Sequence, residues 1–335
     1  MKVLITGGCG FVGHHVVEHL IKNTDWDLLV LDRLDYSSMG FDRLRDINVY
    51  DDSRVQIFTH DLNLPMNECL KDELGEVDYI VHMAAASHVD HSITTPVPFI
   101  QNNINNTLYL LEYARDLKSL KKFVYFSTDE VYGTAPEGVN YKEGSRFNPG
   151  NPYSASKAAA ECVCRAYCNT YGLPVMITNT MNIIGERQHY EKYFPKIVRA
   201  ILTGDKIYIH GNSDCTKAGS RFYLHARNAA DALLYLLNNS EEYLNNIDAA
   251  KGVFNIVGER ETDNLELAQM IQNVMGGDLN YEIVDFHSSR PGHDLRYALD
   301  NSKMLSLGWN YPRTLEETIA STVAWSIEHK KWLGL

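Results

Sequence analysis

The chain has 335 residues, 44% of them hydrophobic, which is enough to form one large domain or two closely packed ones. Its formal net charge of -12 argues against an extended surface for nucleic acid or for an anionic membrane. An anionic ligand would have to be held locally, by a few arginines and backbone amides. The sequence contains no apolar run of about 18 residues, so no membrane span is predicted.

The N-terminus and the cysteines together favour a cytoplasmic protein. Met1 leads almost directly into the apolar Val3-Leu4-Ile5, without a charged and then apolar secretory leader. Cys162, Cys164 and Cys168 fall on one predicted helix, but their spacing does not reproduce a Cys-x-x-Cys metal or redox pattern. We therefore interpret the cysteines as small buried side chains in a reducing compartment.

Short apolar segments alternate with helical periodicity through the first half of the chain. The predicted strands are Val3–Thr6, Leu28–Leu31, Val55–Thr59, Tyr79–Met83, Phe123–Ser127 and Val175–Thr178. The predicted helices between them are Val12–Lys22, Phe99–Leu117 and Tyr153–Tyr171. This alternation implies right-handed crossovers and a doubly wound parallel sheet, which is a Rossmann architecture of the α/β class.

After about Thr180 the alternation becomes irregular. Loops such as Gly211–Ser220 and His287–Asp294 carry Gly, Ser, Asp and Pro between short segments. We predict a Rossmann domain over residues 1–180 and a smaller α/β substrate-binding lobe mainly over residues 181–335. The boundary is not expected to be clean, because later segments can return to the sheet.

A glycine-rich turn joins the first predicted strand to the first helix. In Gly7-Gly8-Cys9-Gly10-Phe11-Val12-Gly13, Gly7 permits a tight turn, Gly10 lets the backbone approach a pyrophosphate, and Gly13 allows close packing of helix and strand. The helix that follows directs free N–H groups and the positive end of its dipole at the phosphates. The segment therefore predicts a dinucleotide site to which Phe11 and Val12 also contribute.

Asp32, at the end of the second strand, bears on which dinucleotide is bound. It lies 19 residues beyond Gly13, where a carboxylate binds both ribose hydroxyls and repels a 2′-phosphate. This favours NAD over NADP, although the adjacent Arg33 could soften the preference. Further contacts are expected from residues after the third and fourth strands, namely Asp61, Leu62, Ala84 and Ala85.

Tyr153 and Lys157 lie four residues apart on one face of a predicted helix. A tyrosine has an intrinsic pKa of about 10, too high for a base near neutrality. A lysine ammonium one turn away stabilises the phenolate, and it can also hold the nicotinamide ribose. The position of the pair after the fifth Rossmann strand, which ends at Ser127-Thr128, supports a catalytic role for it.

Several motifs in one order resemble the dTDP-glucose 4,6-dehydratases, a family of extended short-chain dehydrogenases/reductases, along nearly the whole chain. These motifs are Ser127-Thr128-Asp129-Glu130-Val131-Tyr132-Gly133, Tyr153-Ser154-Ala155-Ser156-Lys157, the stretch from His82 to Asp90, Arg290-Pro291-Gly292-His293-Asp294-Leu295-Arg296-Tyr297, Gly308-Trp309 and Thr322-Val323-Ala324-Trp325.

The resemblance implies a catalytic role for three consecutive residues. In a 4,6-dehydratase, bound NAD oxidises C4 of the sugar, water is eliminated across C5 and C6, and the hydride returns to C6. By the resemblance, Thr128 hydrogen-bonds the C4 oxygen, Asp129 is the acid at C6 and Glu130 is the base at C5. A pair of carboxylates with separated pKa values can divide the two roles.

The resemblance also implies the partners. A nucleotide-diphosphate sugar would be held by Ser87, His88, Asn182, Arg221, Asn255, Arg290, His293 and Tyr297. Arginine suits a diphosphate because its planar fork makes paired, charge-assisted hydrogen bonds. In the resembling family the helices predicted at Phe99–Leu117 and Tyr153–Tyr171 pair with a second subunit as a four-helix bundle, so a homodimer is expected. Their apolar residues could equally serve the intramolecular core.

Two segments depart from the family pattern. The family usually has Asn-Tyr-Gly-Pro where this chain has Ile183-Ile184-Gly185-Glu186. Its Arg-Asp-Trp-Leu-Tyr-Val-x-Asp is replaced by Arg221-Phe222-Tyr223-Leu224-His225-Ala226-Arg227-Asn228. Both fall in the predicted substrate lobe, so we expect them to affect recognition of the nucleotide and the sugar, not the redox chemistry.

Two other functions remain open on the sequence. A nucleotide-sugar epimerase or decarboxylase shares the glycine loop, Thr128, Tyr153 and Lys157, but its relatives tend to lack an acid at the position of Asp129. A non-catalytic sensor of NAD or nucleotide sugars would need neither acid. No metal is expected, because the spacings of His82, His88 and His91, and of His14 and His15, match no recognised ligand pattern.

Overall fold

The computed structural model describes residues 1–240, 251–285 and 295–335. The strands in this part of the chain, numbered in chain order, are β1 Lys2–Thr6, β2 Asp27–Asp32, β3 Val55–Thr59, β4 Tyr79–His82, β5 Lys122–Thr128, β6 Val175–Thr180, β7 Ile183–Ile184, β8 Ile207–Gly211, β9 Ser220–Phe222, β10 Leu224–His225, β11 Val253–Ile256, β12 Glu261–Asp263 and β13 Tyr281–Asp285. The α-helices are α1 Phe11–Asn23, α2 Asp42–Asp46, α3 Glu68–Leu74, α4 Val89–Thr94, α5 Pro96–Asp116, α6 Pro152–Tyr171, α7 Tyr193–Thr203, α8 Ala226–Asn239, α9 Asn264–Met275, α10 Ser302–Ser306 and α11 Leu315–Glu328. Short 3-10 helices cover Asp129–Tyr132 and Lys330–Leu333.

The main sheet has seven parallel strands in the order β11-β6-β5-β4-β1-β2-β3. Strands β1 to β6 have the Rossmann order 3-2-1-4-5-6, which confirms the predicted fold class. The seventh strand, β11, comes from the second half of the chain and pairs with β6, Val253 lying opposite Ile177. The division at residue 180 stays a prediction. Because all strands are parallel, their carboxyl ends meet at one edge.

Each face of the sheet is covered by helices, which explains the continuous apolar strands. Along β1, Val3 and Ile5 belong to the core beneath α1 and α8, whereas Leu4 belongs to the core on the α5 and α6 side. All three side chains are fully buried. Burial of each such side chain contributes about 1.5–3 kcal/mol before the entropy cost of folding is counted.

The second lobe has a core of its own, built by helices α7, α9 and α11. Ile197, Leu267 and Ile319, one from each helix, are completely buried there. The short strands of this region form two-stranded pairs, β7 with β10, β8 with β13 and β9 with β12. In the three described ranges, no helix combines the length and the apolar character that a membrane span requires.

Candidate active site

A cavity of about 450 Å³ opens at the carboxyl edge of the main sheet. Its walls include the segments that follow β1 to β6, the N-terminal parts of α5 and α6, and the loop that precedes α7. Most of the predicted site residues line it together: Gly7, Gly10, Phe11, Val12, Gly13, Asp32, Asp61, Leu62, Ala84, Ala85, Ser87, His88, Thr128, Asp129, Glu130, Tyr153, Lys157 and Asn182. The structure thus brings cofactor and catalytic candidates to a single space.

The glycine loop forms a close passage between β1 and α1. Gly7 has a φ of +72°, and a Cβ there would lie 2.8 Å from the backbone nitrogen of Ala84. A Cβ on Gly13 would lie 2.1 Å from the carbonyl oxygen of Gly7. Gly10 is the N-cap residue of α1, and it has no side chain that could bind the free N–H groups of the helix. The first N–H groups of α1 can therefore receive a ligand, and the cradle fits a dinucleotide pyrophosphate.

The end of β2 presents carboxylates at the place expected for the ribose. Asp32 accepts hydrogen bonds from the backbone N–H of Cys9 at 3.0 Å and of Leu34 at 2.9 Å. Burial raises the pKa of Asp32, against the effect of these two hydrogen bonds. The Arg33 guanidinium donates to Asp35 and to Asn102, so it is already held by neighbours.

Tyr153 and Lys157 occupy the first two turns of α6, both almost completely buried. Lys157 Nζ donates to the carbonyl oxygen of Phe126 at 2.7 Å and lies 4.2 Å from the ring centroid of Tyr125. Burial lowers the pKa of Lys157 to about 8, against the opposing charge of Glu161.

The Tyr153 phenol holds its proton tightly. Burial, followed by the negative charge of Glu130, raises its pKa well above the usual range, while a hydrogen bond with Thr128 acts in the opposite direction. A base at this position therefore depends on nearby positive charge to become a phenolate. Lys157, one turn further along α6, is the predicted source of that charge.

Two adjacent carboxylates lie in different surroundings beyond β5. Asp129 is buried, and its Oδ1 accepts a hydrogen bond from Thr128 Oγ1 at 2.9 Å. Its Oδ2 has no hydrogen-bond partner among the described residues. Burial, and next the charge of Glu130, raise the pKa of Asp129 to about 7. Such a carboxyl carries a proton that it can donate near neutrality.

Glu130 is held by two donors. Its Oε2 accepts from Asn151 Nδ2 at 3.1 Å and from the Tyr297 hydroxyl at 3.4 Å. Asn151 also caps α6, where its Oδ1 accepts from the backbone N–H of Ser154. The sequence reasoning missed Asn151. An Asn followed by Pro152 at a helix start is a capping signal, but the contact with Glu130 spans 21 residues and leaves no local trace.

The remaining predicted substrate residues are placed differently. Tyr297 touches Glu130, and the Arg221 guanidinium lies 4.4 Å from the Tyr297 ring centroid. Asn255 is fully buried and donates to the carbonyl oxygens of Tyr141 and Asp300, away from the cavity wall. Arg290 and His293 lie outside the described residues.

The two segments that depart from the family pattern meet each other, and they reach the cofactor helix. Glu186 Oε2 lies 3.3 Å from His225 Nε2, and Glu186 Oε1 lies 3.6 Å from Arg227 Nε. The carbonyl oxygen of Glu186 lies 3.1 Å from Nε2 of His15 on α1. These segments therefore pack against the glycine-loop helix as well, and their effect on recognition of the nucleotide and the sugar stays a prediction.

The structure also assembles a cluster that the histidine spacing did not indicate. Ligand atoms of His88, His91 and Glu191 lie within 4.8 Å of one another at the cavity wall. The His88 and His91 rings are stacked, with centroids 4.0 Å apart and planes inclined by 16°. Their nitrogen lone pairs therefore lie in two separate, nearly parallel planes and do not converge on one ion. Glu191 lies far along the chain from His88 and His91, so no local sequence motif could indicate the cluster.

Comparison with known proteins agrees with this geometry. The family model of GDP-mannose 4,6 dehydratase matches residues 4–322. A dTDP-glucose 4,6-dehydratase of Escherichia coli K12 is 34% identical over 362 residues, covering 99% of this chain and 94% of that protein.

Two solved structures extend the comparison. The dTDP-glucose 4,6-dehydratase DesIV of Streptomyces venezuelae, solved with NAD, superposes with a TM-score of 0.85 at 33% identity, covering 99% of this chain and 98% of that one. A UDP-glucose 4-epimerase of Thermus thermophilus, also with NAD, has a TM-score of 0.82 at 26% identity, covering 97% and 98%. The chain belongs to the GDP-mannose 4,6 dehydratase family.

Proposed function

We propose that the chain converts an NDP-glucose-type substrate into the NDP-4-keto-6-deoxy sugar, with Thr128, Asp129, Glu130, Tyr153 and Lys157 as its catalytic residues. One observation carries this proposal. A buried carboxyl with a pKa of about 7 and a second, hydrogen-bonded carboxylate line the same cavity as the tyrosine–lysine pair. An acid and a base beside an oxidising centre are what elimination of water requires.

The first step is removal of the C4 hydroxyl proton by Tyr153. Bound NAD supplies the hydride acceptor and later donor, together with the positive charge of its nicotinamide ring. Lys157 stabilises the phenolate, and Thr128, whose hydroxyl lies beside Asp129, hydrogen-bonds the C4 oxygen. A neutral Asp129 assists, because its ionised form would repel the developing phenolate.

Elimination then divides between the carboxyl groups. Glu130 removes the C5 proton, which the C4 ketone has made acidic. Asp129 protonates the C6 hydroxyl as it leaves. Asn151 and Tyr297 hold Glu130 through its Oε2. The free Oδ2 of Asp129 is the oxygen available to the substrate, since Oδ1 is occupied by Thr128.

The cofactor contacts are proposed from the same geometry. The N-terminus of α1, from Gly10 to Gly13, binds the pyrophosphate, Asp32 binds the adenosine ribose, and Asp61 and Leu62 border the adenine. Ala84 and Ala85 leave room for the cofactor beside the end of β4. Lys157 also binds the nicotinamide ribose.

Product analysis in deuterated water tests the reaction. A dehydratase places one solvent deuterium at C5 and delivers the C4 hydride to C6 of the product. We expect Glu130→Gln to stall with bound NADH and no eliminated product. A product that keeps its C6 oxygen would instead identify an epimerase or a decarboxylase, and the absence of any turnover would favour a non-catalytic sensor.

The nucleotide and its contacts remain proposals. The family model and the two named dehydratases carry different nucleotides in their names, GDP and dTDP. Ser87, His88 and Asn182 line the cavity, and Arg221 with Tyr297 adjoins Glu130. We propose that these residues hold the nucleotide-diphosphate sugar, together with Arg290 and His293. Asn255 is not part of this set, because it is buried away from the cavity. Parallel assays of dTDP-, UDP-, CDP- and GDP-glucose identify the base.

We further propose a homodimer through α5 and α6. Leu111 is buried in the core, whereas Leu108 and Tyr109 are half-buried and Cys162 and Ala166 are exposed. These accessible positions would pair with the same helices of a second copy as a four-helix bundle. Light scattering should give twice the chain mass, and Ala166→Arg should give a monomer. A monomeric wild-type chain would contradict the proposal.

A cytoplasmic location is proposed from the six cysteines. All of them are free in the structure. The prediction that they are buried is wrong for Cys69, Cys162 and Cys215, which are exposed. Exposed thiols persist in a reducing compartment. Cell fractionation with antibodies to the chain provides the test, and recovery of the protein outside the cytoplasmic fraction would contradict it.

A further inference from the structure

Helix α6 carries a buried carboxylate one turn beyond Lys157. Tyr153, Lys157 and Glu161 follow each other at intervals of four residues, so all three project from the same face of the helix towards the sheet. Glu161 has no solvent exposure. The proposed reaction gives this group no direct role, and it does not line the cavity.

The Glu161 carboxylate joins the ends of two strands beneath the catalytic residues. Its Oε1 accepts from Ser127 Oγ at 2.6 Å and from Asn179 Nδ2 at 2.7 Å. The same Asn179 Nδ2 lies 3.2 Å from the carbonyl oxygen of Thr128. Glu161 therefore connects β5, β6 and α6 at the level where Thr128 begins the catalytic segment.

A buried carboxylate is costly, since water solvates it better than most protein interiors do. An apolar side chain of similar volume would fill the same space without that cost. Two neutral donors hold one of its oxygens, and Arg165 Nη2 lies 3.7 Å from the other. Burial raises the pKa of Glu161, and the hydrogen bonds from Ser127 and Asn179 oppose that rise, so keeping the negative charge at this position calls for a functional reason.

Lys157 supplies that reason. Its ammonium is buried against the carbonyl oxygen of Phe126 and the ring of Tyr125, and neither carries a full negative charge. Burial favours loss of the ammonium proton, and Glu161 is the carboxylate that opposes this loss. Tyr153 needs a charged Lys157 to become a phenolate.

We propose that Glu161 is a positioning residue of the reaction, which keeps Lys157 protonated from behind and fixes the carboxyl end of β5 through Ser127 and Asn179. This inference rests on the proposed role of Tyr153 and Lys157. Other titratable groups around the pair are Tyr125 and His82 from neighbouring strands, Tyr132 from the 3-10 helix, and Cys164 and Arg165 from α6.

The test is the pH dependence of the first hydride transfer. Single-turnover formation of bound NADH precedes elimination, and measuring it in an Asp129→Asn background removes the titration of Asp129, so the remaining alkaline limb reports the Lys157–Tyr153 pair. Glu161→Gln removes the charge but keeps the shape. Without the carboxylate the pKa of Lys157 falls, and the alkaline limb should move to lower pH by about one unit.

Two variants separate charge from fold. Glu161→Asp keeps the charge and shortens its reach, so the limb should stay in place while the rate falls. Glu18→Gln removes another buried carboxylate, one that pairs with Lys22 and Arg227 far from Tyr153. It should lower the unfolding temperature and leave the limb unchanged.

The outcomes are distinct. A limb that does not move in a folded Glu161→Gln variant overturns the inference, as does a rate loss that is identical at every pH. If Glu161→Gln does not fold, a displaced limb in Glu161→Asp overturns it and an unchanged limb supports it. A wild-type chain that forms no NADH with any nucleotide sugar refutes the proposed function instead.

Discussion

The molecule buries ionisable groups in two regions with opposite consequences. Around Tyr153 they face the cavity, and one oxygen of Asp129 has no hydrogen-bond partner in the part of the chain that the structure describes. Around Glu186 they are enclosed and paired. Burial alone would raise the pKa of Glu186, but the contacts with His225 and Arg227 hold it well below the usual range. A carboxyl oxygen that faces the cavity can exchange a proton with a ligand, whereas enclosed ion pairs fix one segment of the chain against another.

The two regions also join different parts of the chain. The catalytic region gathers neighbours along one crossover, from β5 to α6. The paired region connects the segments after β7 and β10 with α1, and Arg227 Nη1 extends it to Glu18 Oε2 at 2.6 Å. We therefore expect changes in the first region to alter rates and pH profiles, and changes in the second to alter stability.

Removing the catalytic hydroxyl should have the largest effect. Tyr153→Phe deletes the proton acceptor and leaves the glycine loop intact, so we expect the first oxidation to fall about 10⁴-fold while NAD still binds. Single-turnover NADH formation and an NAD titration measure the two quantities. Near-normal turnover in this variant would remove Tyr153 as the base.

Breaking the paired region should cost stability. Glu186→Gln removes the carboxylate that His225 and Arg227 contact, and leaving a buried polar group without its partner typically costs about 1–3 kcal/mol of unfolding free energy. The matched control is Glu316→Gln, whose exposed pair with Arg260 should be worth about 0–1 kcal/mol. Denaturant titrations provide the measurement, and equal losses would contradict the contrast between the regions.

The cost of Glu186→Gln should also depend on pH. The folded-state pKa of Glu186 is lowered, so its contribution is present above the unfolded pKa of about 4.3 and is lost as pH falls below it. The stability difference between wild type and variant should therefore shrink on acidification. A difference that stays constant down to low pH would mean that packing, not charge, explains the loss.

Asp129→Asn should have an intermediate effect with a pH signature. The amide cannot donate the proton that the C6 hydroxyl needs, so elimination should slow about 10²-fold. In the wild type the raised pKa keeps Asp129 protonated below about 7, and the elimination rate should fall as pH rises above that value. The variant should lose this component of the profile; its persistence would assign the titration to another group.

The smallest effect is expected at the ribose site. Asp32→Ala should weaken NAD binding about tenfold, since hydrogen bonds to a charged group are worth about 1.5–3 kcal/mol. The same variant should weaken NADP binding less, so the preference for NAD over NADP should decrease. Arg33→Met serves as the matched variant, because Arg33 is already held by Asp35 and Asn102. Comparable wild-type affinities for both cofactors would show that Arg33 dominates.

Much of the cofactor half could be predicted from sequence because its signals are local. The strand predicted at Val3–Thr6 is Lys2–Thr6, and the helix predicted at Val12–Lys22 is Phe11–Asn23. Each is recognised from residues a few positions apart. The Tyr153–Lys157 pair is visible for the same reason, because helical geometry alone places the two residues on one face.

The rest of the site depends on contacts between distant residues. The contact of His15 with Glu186 spans 171 residues, and that of Glu130 with Tyr297 spans 167. No periodicity records such a pairing. The pKa of Asp129 was likewise out of reach, because it depends on how completely the folded chain excludes water from one carboxyl group.

The double contact of Asn151 has a consequence for the precision of the site. One side chain ends the loop before α6 with its oxygen and holds Glu130 with its nitrogen. When thermal motion displaces the first turn of α6, Tyr153 and Glu130 are carried in the same direction. The separation between the group that deprotonates oxygen and the group that deprotonates carbon then varies less than either position does alone. We expect this shared motion, rather than rigidity of either side chain, to preserve the alignment of Tyr153 with Glu130.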